Sequence, residues 1–400
     1  MKSKWNNKEE KSAKRLVKEI KPMLRLNDNG NVSQRPYFEL ISDTLFGYVQ
    51  QKSTLSTRET FDIFQESIKE SFKENEIENT ERILSIFDQM IHDQSKIIHT
   101  YKILFSINTR IKIPPKNINE VRLVFYDNPP RNLKNKIDYD FIQGDGCKGF
   151  VLAFVKAPSR DAAIEKAIES VDALRAIWQL LFKKQFNLLA QDQESKYWSR
   201  SLIRLGKDHF LFDDSSDINT NEQITLKHYT NLESPVIDDM SSFNKYTNLY
   251  LRKINSSPYR DFLLNTLINY ISSIDTLDLE SRFLKLSSTL EILLKANDTK
   301  EIARKLSFIY EENELEKMIV NNLRDSRNKL SHLGFLPPNT EIKCFKISLY
   351  VEDMLKFFIA NPIKAKSIQQ MLDFLSSPQD LGVIESQLTR LKLVQKYLES

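Results

Sequence analysis

The sequence predicts a mainly α protein, with an N-terminal α+β domain that carries a small sheet and a C-terminal helical bundle. Three observations predict this class. Apolar residues recur at helical spacing over most of the chain. The spacing becomes strand-like between residues 107 and 155. A polar, turn-forming stretch at 206–242 separates an N-terminal domain, 1–205, from a C-terminal domain, 243–400, and is interpreted as a linker.

The N-terminal domain begins with helical patterns. They lie at 9–24, 37–49, 57–72 and about 80–101. Ser56 or Thr57 is a candidate N-cap for the third helix. The last helix would carry His92 and His99 two turns apart on one face. A ligand pair is one interpretation, but no carboxylate or cysteine spacing around the pair is typical of a metal site, so surface or packing positions are favoured.

Strand patterns follow in the same domain. Apolar and polar residues alternate over 107–113, which predicts a half-buried strand that ends at Pro114-Pro115. A second strand is predicted at 121–126, and a third at 149–155 is apolar enough to be central in the sheet. Ser159 is then a candidate N-cap for a helix whose apolar stripe continues to Leu181.

Beyond the predicted linker every pattern is helical. Short connections between the segments predict antiparallel neighbours in a bundle. Gly334 and the following Pro337-Pro338 predict the end of one of these helices. The predicted segments are 246–254, 259–274, 279–294, a helix capped by Asp298 or Thr299, 314–333, 340–359 and 376–398.

Composition narrows the class of protein. The 58 lysines and arginines exceed the 54 acidic residues by four, which permits a nucleic-acid partner without requiring one. Two distant cysteines predict neither a disulfide framework nor a zinc cluster, and favour a reducing cytoplasm. The N-terminus lacks the pattern of a signal peptide, and no apolar run reaches the roughly 20 residues of a membrane helix. No nucleotide-binding glycine loop is present, which argues against a nucleotide-hydrolysing motor. We expect no cofactor, no metal and no membrane partner.

The densest chemistry lies in the twelve residues from Leu323 to Gly334. Arg327 carries a planar fork of donors that suits a phosphate. His332 is the side-chain type whose ordinary pKa lies nearest neutrality. Asn328 precedes His332 by four residues, so both lie on one face of a helix, while Arg327 must reach round with its long side chain.

This stretch resembles the Arg-x4-to-6-His signature of HEPN ribonucleases, in which a polar residue commonly follows the arginine. The flanking Arg282-Phe283-Leu284 and the run from Ser288 to Leu293 resemble the Apea-like branch, which is often met in bacterial defence proteins. The resemblance covers roughly the last third of the chain.

The resemblance implies a metal-independent endoribonuclease, active as a homodimer or higher oligomer, which leaves a 2′,3′-cyclic phosphate and a 5′-hydroxyl. It implies catalytic roles for Arg327, Asn328 and His332, with Glu291 facing the site and holding Arg327. It further implies a toxin or antiphage effector whose N-terminal domain senses a phage or cellular trigger or restrains the nuclease.

A second interpretation stays open. Arg327 could pair with Asp325, Glu316 or Glu291, and His332 could be a donor at the helix C-terminus. Glu291 could equally be a carboxylate at the rim of an apolar stripe. The protein would then be a catalytically inactive HEPN-like module that binds nucleic acid or a protein partner.

Overall fold

The computed structural model describes residues 2–6, 9–51, 53–134, 147–182, 201–213, 221–225, 237, 239–311, 313–334 and 337–399. Helix accounts for 61% of the structure and strand for 13%, so the prediction of a mainly α protein is confirmed. No helix in these residues is long and apolar enough to cross a membrane.

A helical unit with its own core comes first. Its helices are α1 (Glu10–Ile20), α2 (Phe38–Phe46), α3 (Thr57–Lys73) and α4 (Thr80–Gln94). Two short ribbons join them, β1 (Lys4–Trp5) with β4 (Val49–Gln50), and β2 (Leu24–Leu26) with β3 (Val32–Gln34). Phe38, Phe64 and Phe87 are buried together at the centre.

Ser56 starts α3, as one of the two predicted caps. Its hydroxyl accepts a hydrogen bond from the Glu59 backbone N–H at 3.2 Å, and the Glu59 carboxylate accepts one from the Ser56 backbone N–H at 3.0 Å. This reciprocal pair satisfies two of the donors that a helix N-terminus leaves open.

An antiparallel six-stranded sheet follows, with strand order β10-β9-β5-β8-β7-β6. The prediction of strands at 121–126 and from 149 is confirmed. The strands are β5 (His99–Ile107), β6 (Lys116–Ile118), β7 (Val121–Tyr126), β8 (Gly149–Ala157), β9 (Leu205–Asp213) and β10 (Asn221–Thr225).

Two predictions around β5 are wrong. The helix predicted to continue to 101 ends at Gln94, and the strand predicted at 107–113 lies instead at His99–Ile107. β5 is paired on both edges and most of its side chains are buried, so it lacks the alternation of a half-buried strand. His92 lies in the last turn of α4 and His99 begins β5, so the two do not share a helix face.

The predicted linker at 206–242 is also wrong over part of its length. β9 occupies its first residues and pairs with β5, and β10 pairs with β9. Gly206 permits the approach to β5, because a Cβ there would collide with the Ser106 hydroxyl. Residues 214–220 and 226–236 of the predicted linker lie outside the described residues.

The sheet shares its core with the C-terminal helices, not with α1–α4. A further short helix, α5 (Arg131–Lys134), follows β7, and α6 (Arg160–Leu181) starts at Ser159, whose hydroxyl accepts from Ala162 N–H at 3.1 Å. Trp178 of α6 belongs to one continuous cluster with the sheet and the C-terminal helices. The hydrophobic cores therefore separate near the start of β5 rather than at the predicted linker.

The C-terminal part is helical, as predicted. Its helices are α7 (Met240–Asn255), α8 (Arg260–Asp275), α9 (Leu279–Leu294), α10 (Thr299–Ser307), α11 (Asn313–Leu333), α12 (Thr340–Ala360), α13 (Ile368–Leu375) and α14 (Leu381–Leu398). α9 packs against α8 and α12, and α11 packs against α9 and α10. The single helix predicted at 376–398 is wrong at its start, because Pro378 separates α13 from α14.

Candidate functional site

The candidate site lies at the C-terminal end of α11. The helix ends where sequence predicts, because Gly334 adopts a φ of +62° and its N–H donates to Leu330 C=O at 3.0 Å. Only glycine adopts this left-handed conformation without a steric cost. The last turn, which carries His332, therefore has a fixed end.

The buried side of α11 directs Arg327 towards α9. Val320, Leu323 and Leu330 are buried against the core. Residues 320, 323, 327 and 330 follow the three-and-four spacing of one helix face, so Arg327 leaves the helix on its packed side.

Glu291 of α9 contacts two arginines of α11. Its Oε1 accepts a hydrogen bond from Arg324 Nη1, and Arg327 Nε lies 3.7 Å from the same oxygen. The Glu291 side chain is 14% exposed and that of Arg324 is 10% exposed, so this pair is largely removed from water. Arg324 also donates from Nη2 to Asn297 C=O at 2.8 Å.

Sequence reasoning missed Arg324. It is the closer partner of Glu291, while Arg327 makes the longer contact. Its position three residues before Arg327, on the same helix face, was the available signal. Because Arg324 already neutralises Glu291, the longer contact of Arg327 with this carboxylate orients the guanidinium and leaves its other donors available.

Asn328 holds the other end of Arg327. Arg327 Nη1 donates to Asn328 Oδ1 at 3.3 Å, so the guanidinium extends from Glu291 towards the Asn328 side of the helix. The Arg327 side chain remains 30% exposed. An anion arriving from solvent can therefore reach the guanidinium while Glu291 and Asn328 fix its plane.

His332 lies on a different side of α11. Its side chain is exposed, in the last turn. His332 follows Arg327 by five positions, so the two side chains point about 140° apart around the helix axis. Asn328 and His332 share a face, so Asn328 is the residue that connects Arg327 to the histidine side. Within one protomer, helix geometry thus keeps the arginine and the imidazole apart.

Lysines surround the motif. Lys343 Nζ of α12 donates to Ser326 Oγ at 2.9 Å, and burial, followed by the charge of Lys329, lowers the pKa of Lys343. A cleft of about 490 Å³ between α11 and α12 is lined by Ile319, Leu323, Ile342, Lys343 and Lys346. Arg327 does not line this cleft, and Lys346 pairs with Glu316 at 3.1 Å, so Lys343 and the neighbouring Lys329 are the lysines that favour phosphate binding on this side of α11.

Of the three acids considered for Arg327, Glu291 is the one found at 3.7 Å. Glu316 instead accepts hydrogen bonds from Lys346 at 3.1 Å and from the Tyr350 hydroxyl. Asp325 is exposed. The described part of the chain contains no group of three or more His, Cys, Asp or Glu residues that could hold a metal ion.

A second polar cluster, which sequence reasoning also missed, lies between α6, α8 and β9. Arg175 donates from Nε to Ile203 C=O at 2.9 Å, from Nη1 to Asp172 at 2.7 Å and from Nη2 to Asp275 at 2.8 Å. Its side chain is 2% exposed. Burial raises the pKa of Asp172 to about 6 in spite of its pairing with Arg175.

His209 of β9 belongs to the same buried region. Its ring lies 4.8 Å from that of Phe105, and within the described residues neither ring nitrogen has a hydrogen-bond partner. Burial, which is opposed by the charge of Asp208 and assisted by that of Arg175, lowers the pKa of His209 to about 3. This histidine is therefore neutral at ordinary pH, and its side chain is fully buried.

Comparisons with protein-family models, with curated proteins and with solved structures find no match to this chain.

Proposed function

We propose that the C-terminal helices form a HEPN-like bundle and that the protein is a metal-independent endoribonuclease. One observation carries the proposal. At the end of α11, Arg327 is oriented by Glu291 and Asn328 yet remains open to solvent, and an exposed His332 follows one turn after Asn328. The Arg-Asn-x3-His motif thus presents a phosphate-binding cation and a proton-transfer group at one helix end.

The chemistry follows from these groups. A neutral imidazole of His332 removes the proton from a ribose 2′-hydroxyl, and the 2′-oxygen attacks the adjacent phosphorus. Arg327 stabilises the charge that develops on the phosphate oxygens. The bond from phosphorus to the 5′-oxygen breaks, and a protonated imidazole supplies the proton to that oxygen. The products are a 2′,3′-cyclic phosphate and a 5′-hydroxyl, and no oxidant or metal enters the balance.

Two histidines satisfy the two proton transfers. The motif supplies one per chain, so we propose that two copies place their α11 ends face to face, with one His332 as base and the other as acid. Arg327 and His332 of one protomer lie on different sides of α11. In the dimer, His332 of one copy can approach Arg327 of the other. Asn328 positions the guanidinium or the imidazole.

RNA digestion in EDTA tests the proposal. Wild-type protein should cleave single-stranded RNA and leave 2′,3′-cyclic phosphate ends, and His332→Ala and Arg327→Ala should each lower the rate by about 10²–10⁴. A matched control is Lys366→Ala, an exposed cation on the loop before α13. Cleavage that persists in the His332→Ala/Arg327→Ala double variant would contradict the proposal.

A non-catalytic module that binds nucleic acid is the second candidate function. The observation that favours it is the grouping of cations on α11 and α12. Arg324 and Arg327 share Glu291, and the charge of Lys329 acts on Lys343, so cations predominate here without any proton transfer. RNA binding that depends on Lys329 and Lys343, with no cleavage by wild-type protein at any pH, would identify this function.

The biological role that we propose is that of a toxin or antiphage effector, in which α1–α4 and the sheet respond to a phage or cellular trigger. Expression of wild-type protein should arrest growth of a bacterial host, and expression of His332→Ala at the same level should not.

A further inference from the structure

The residues of the last helix, α14, are almost all exposed in the part of the chain that the structure describes. Asp380 caps its N-terminus, with Oδ1 accepting from Val383 N–H at 2.9 Å, so the helix has a defined start. None of its residues is buried. Large apolar side chains are nevertheless exposed along it, including Leu381, Leu388, Leu391 and Leu398. An isolated helix of 18 residues is marginal in water, so an apolar stripe of this length requires a covering surface.

The stripe follows a heptad pattern. Four other exposed apolar residues of α14, Val383, Leu393, Val394 and Tyr397, lie outside the stripe. The members of the stripe alternate steps of three and four residues, which is the spacing of a two-helix seam. They are Leu381, Ile384, Leu388, Leu391, Gln395 and Leu398. Gln395 is the one polar member, and its amide donates to Glu399 Oε1 at 2.8 Å. A single polar seam position is a device that specifies register.

The stripe of one copy of α14 is complementary to the stripe of a second copy that runs antiparallel to it. When two copies of α14 run antiparallel, Leu388 faces Leu391 of the second copy, and Leu381 faces Leu398. Glu385 then flanks the seam opposite Lys392 of the second copy, and two-fold symmetry repeats this pair. In the parallel arrangement Asp380 would instead flank Glu385 of the second copy, which places like charges together.

We propose that α14 pairs with α14 of a second copy of this chain, as an antiparallel two-helix interface. The charge pattern selects this orientation, and the isologous contact closes a two-fold dimer. The interface is separate from the α11 site, so the inference goes beyond the proposed ribonuclease activity and stands or falls independently of it.

Sedimentation velocity over a wide range of protein concentration tests the proposal. Wild-type protein should show reversible self-association, and Leu388→Asp/Leu391→Asp should raise the dissociation constant about tenfold or more, because two charges per helix enter the seam. The matched control is Ser386→Asp/Thr389→Asp, which adds the same charge on the opposite side of the helix. Because no residue of α14 is buried within the protomer, all variants should share the wild-type thermal midpoint at protein concentrations below the dissociation constant.

Cysteine crosslinking tests the orientation. In a Cys147→Ser background, where the remaining Cys344 is buried, separately tagged Leu388→Cys and Leu391→Cys proteins are mixed and mildly oxidised. Mixed disulfides should predominate over those between identical chains. Predominant crosslinks between identical chains would overturn the antiparallel arrangement.

Three further results would overturn the proposal: wild-type protein that stays monomeric, an unchanged dissociation constant in Leu388→Asp/Leu391→Asp, or co-sedimentation with anionic phospholipid vesicles that this variant alone abolishes. In the last case the stripe is a membrane-surface face. Loss of RNA cleavage has no bearing on these readouts, so the two proposals fail distinguishably.

Discussion

Among the described residues, two clusters that combine an arginine, a histidine and carboxylates differ in access to water. In the buried cluster Arg175 is 2% exposed and each of its guanidinium nitrogens has a partner within 3.3 Å. In the cluster at the end of α11, Arg327 is 30% exposed, with one contact at 3.3 Å and another at 3.7 Å.

The histidines follow the same division. His209 is sealed beside Phe105 with its pKa lowered to about 3, whereas His332 lies exposed in the last turn of α11. Similar residue types therefore serve different ends. A buried arginine whose donors are all hydrogen-bonded holds neighbouring elements together. A partly exposed arginine keeps donors free for a ligand. Stability should therefore depend chiefly on the buried cluster, and RNA cleavage on the cluster at the end of α11.

The largest contrast is expected between Arg175→Met and Arg327→Met. Arg175→Met leaves Asp172 and Asp275 without their shared cation, and should lower the free energy of unfolding by about 3–5 kcal/mol. Arg327→Met should lower it by about 1 kcal/mol or less, because Glu291 keeps Arg324. Urea titration measures both. Equal destabilisation would remove the distinction between the two clusters.

The second contrast concerns acid. The folded-state pKa of His209, about 3, lies below its ordinary value of 6.5, so the unfolded chain binds more protons between these pH values. His209 therefore contributes stability at neutral pH that is lost as the pH falls from 6.5 towards 3, by about 1.4 kcal/mol per pH unit. Asp172 has the opposite sign, since its pKa is raised to about 6.

The variant His209→Phe isolates this effect. Relative to it, wild-type protein should lose stability progressively below pH 6.5, as measured by urea titration at several pH values. A wild-type slope in His209→Phe would show that acid sensitivity arises elsewhere.

Glu291→Gln should have an intermediate effect because it touches both properties. Arg324 loses a largely buried charged partner, which should cost about 1–3 kcal/mol. Arg327 loses one of its two orienting contacts, so RNA cleavage should fall as well. Glu280→Gln, at an exposed position of the same helix, is the matched control. Unchanged stability and cleavage in Glu291→Gln would place Glu291 outside the site.

The smallest expected effect is that of Gly334→Ala. The φ of +62° should make the substitution cost about 1 kcal/mol and distort the turn that carries His332. Gly47→Ala is the matched control, since Gly47 ends α2 with a φ of −57° that alanine adopts freely. Thermal unfolding and RNA cleavage measure both variants, and equal midpoints would show that the end of α11 tolerates a side chain.

Local signals made much of the fold predictable. Ser56, Ser159 and Gly334 fix helix ends through contacts within four residues, and the structure uses all three. β5 and β9 were not predictable in this way. β5 is buried on both faces and has no alternation, and β9 lies between β10 and β5, which is about a hundred residues earlier in the chain.

The site divides along the same line. Spacing within α11 indicates that Asn328 and His332 share a face and that Arg327 does not. The contact between Arg327 and Glu291 joins two helices, so no spacing distinguishes it from the alternative pairings with Asp325 or Glu316, and the resemblance to HEPN proteins was what favoured it. Arg324 was missed because its role depends on the depth at which α11 packs against α9.

Subunit mixing tests the composite ribonuclease site most directly. Wild-type protein and His332→Ala are mixed in varying proportions, allowed to exchange subunits, and assayed for RNA cleavage in EDTA. If both histidines act in one site, the rate should follow the square of the wild-type fraction and reach about a quarter of the wild-type value in an equal mixture. A linear dependence, with about half the activity at equal mixing, would contradict a site shared between two copies.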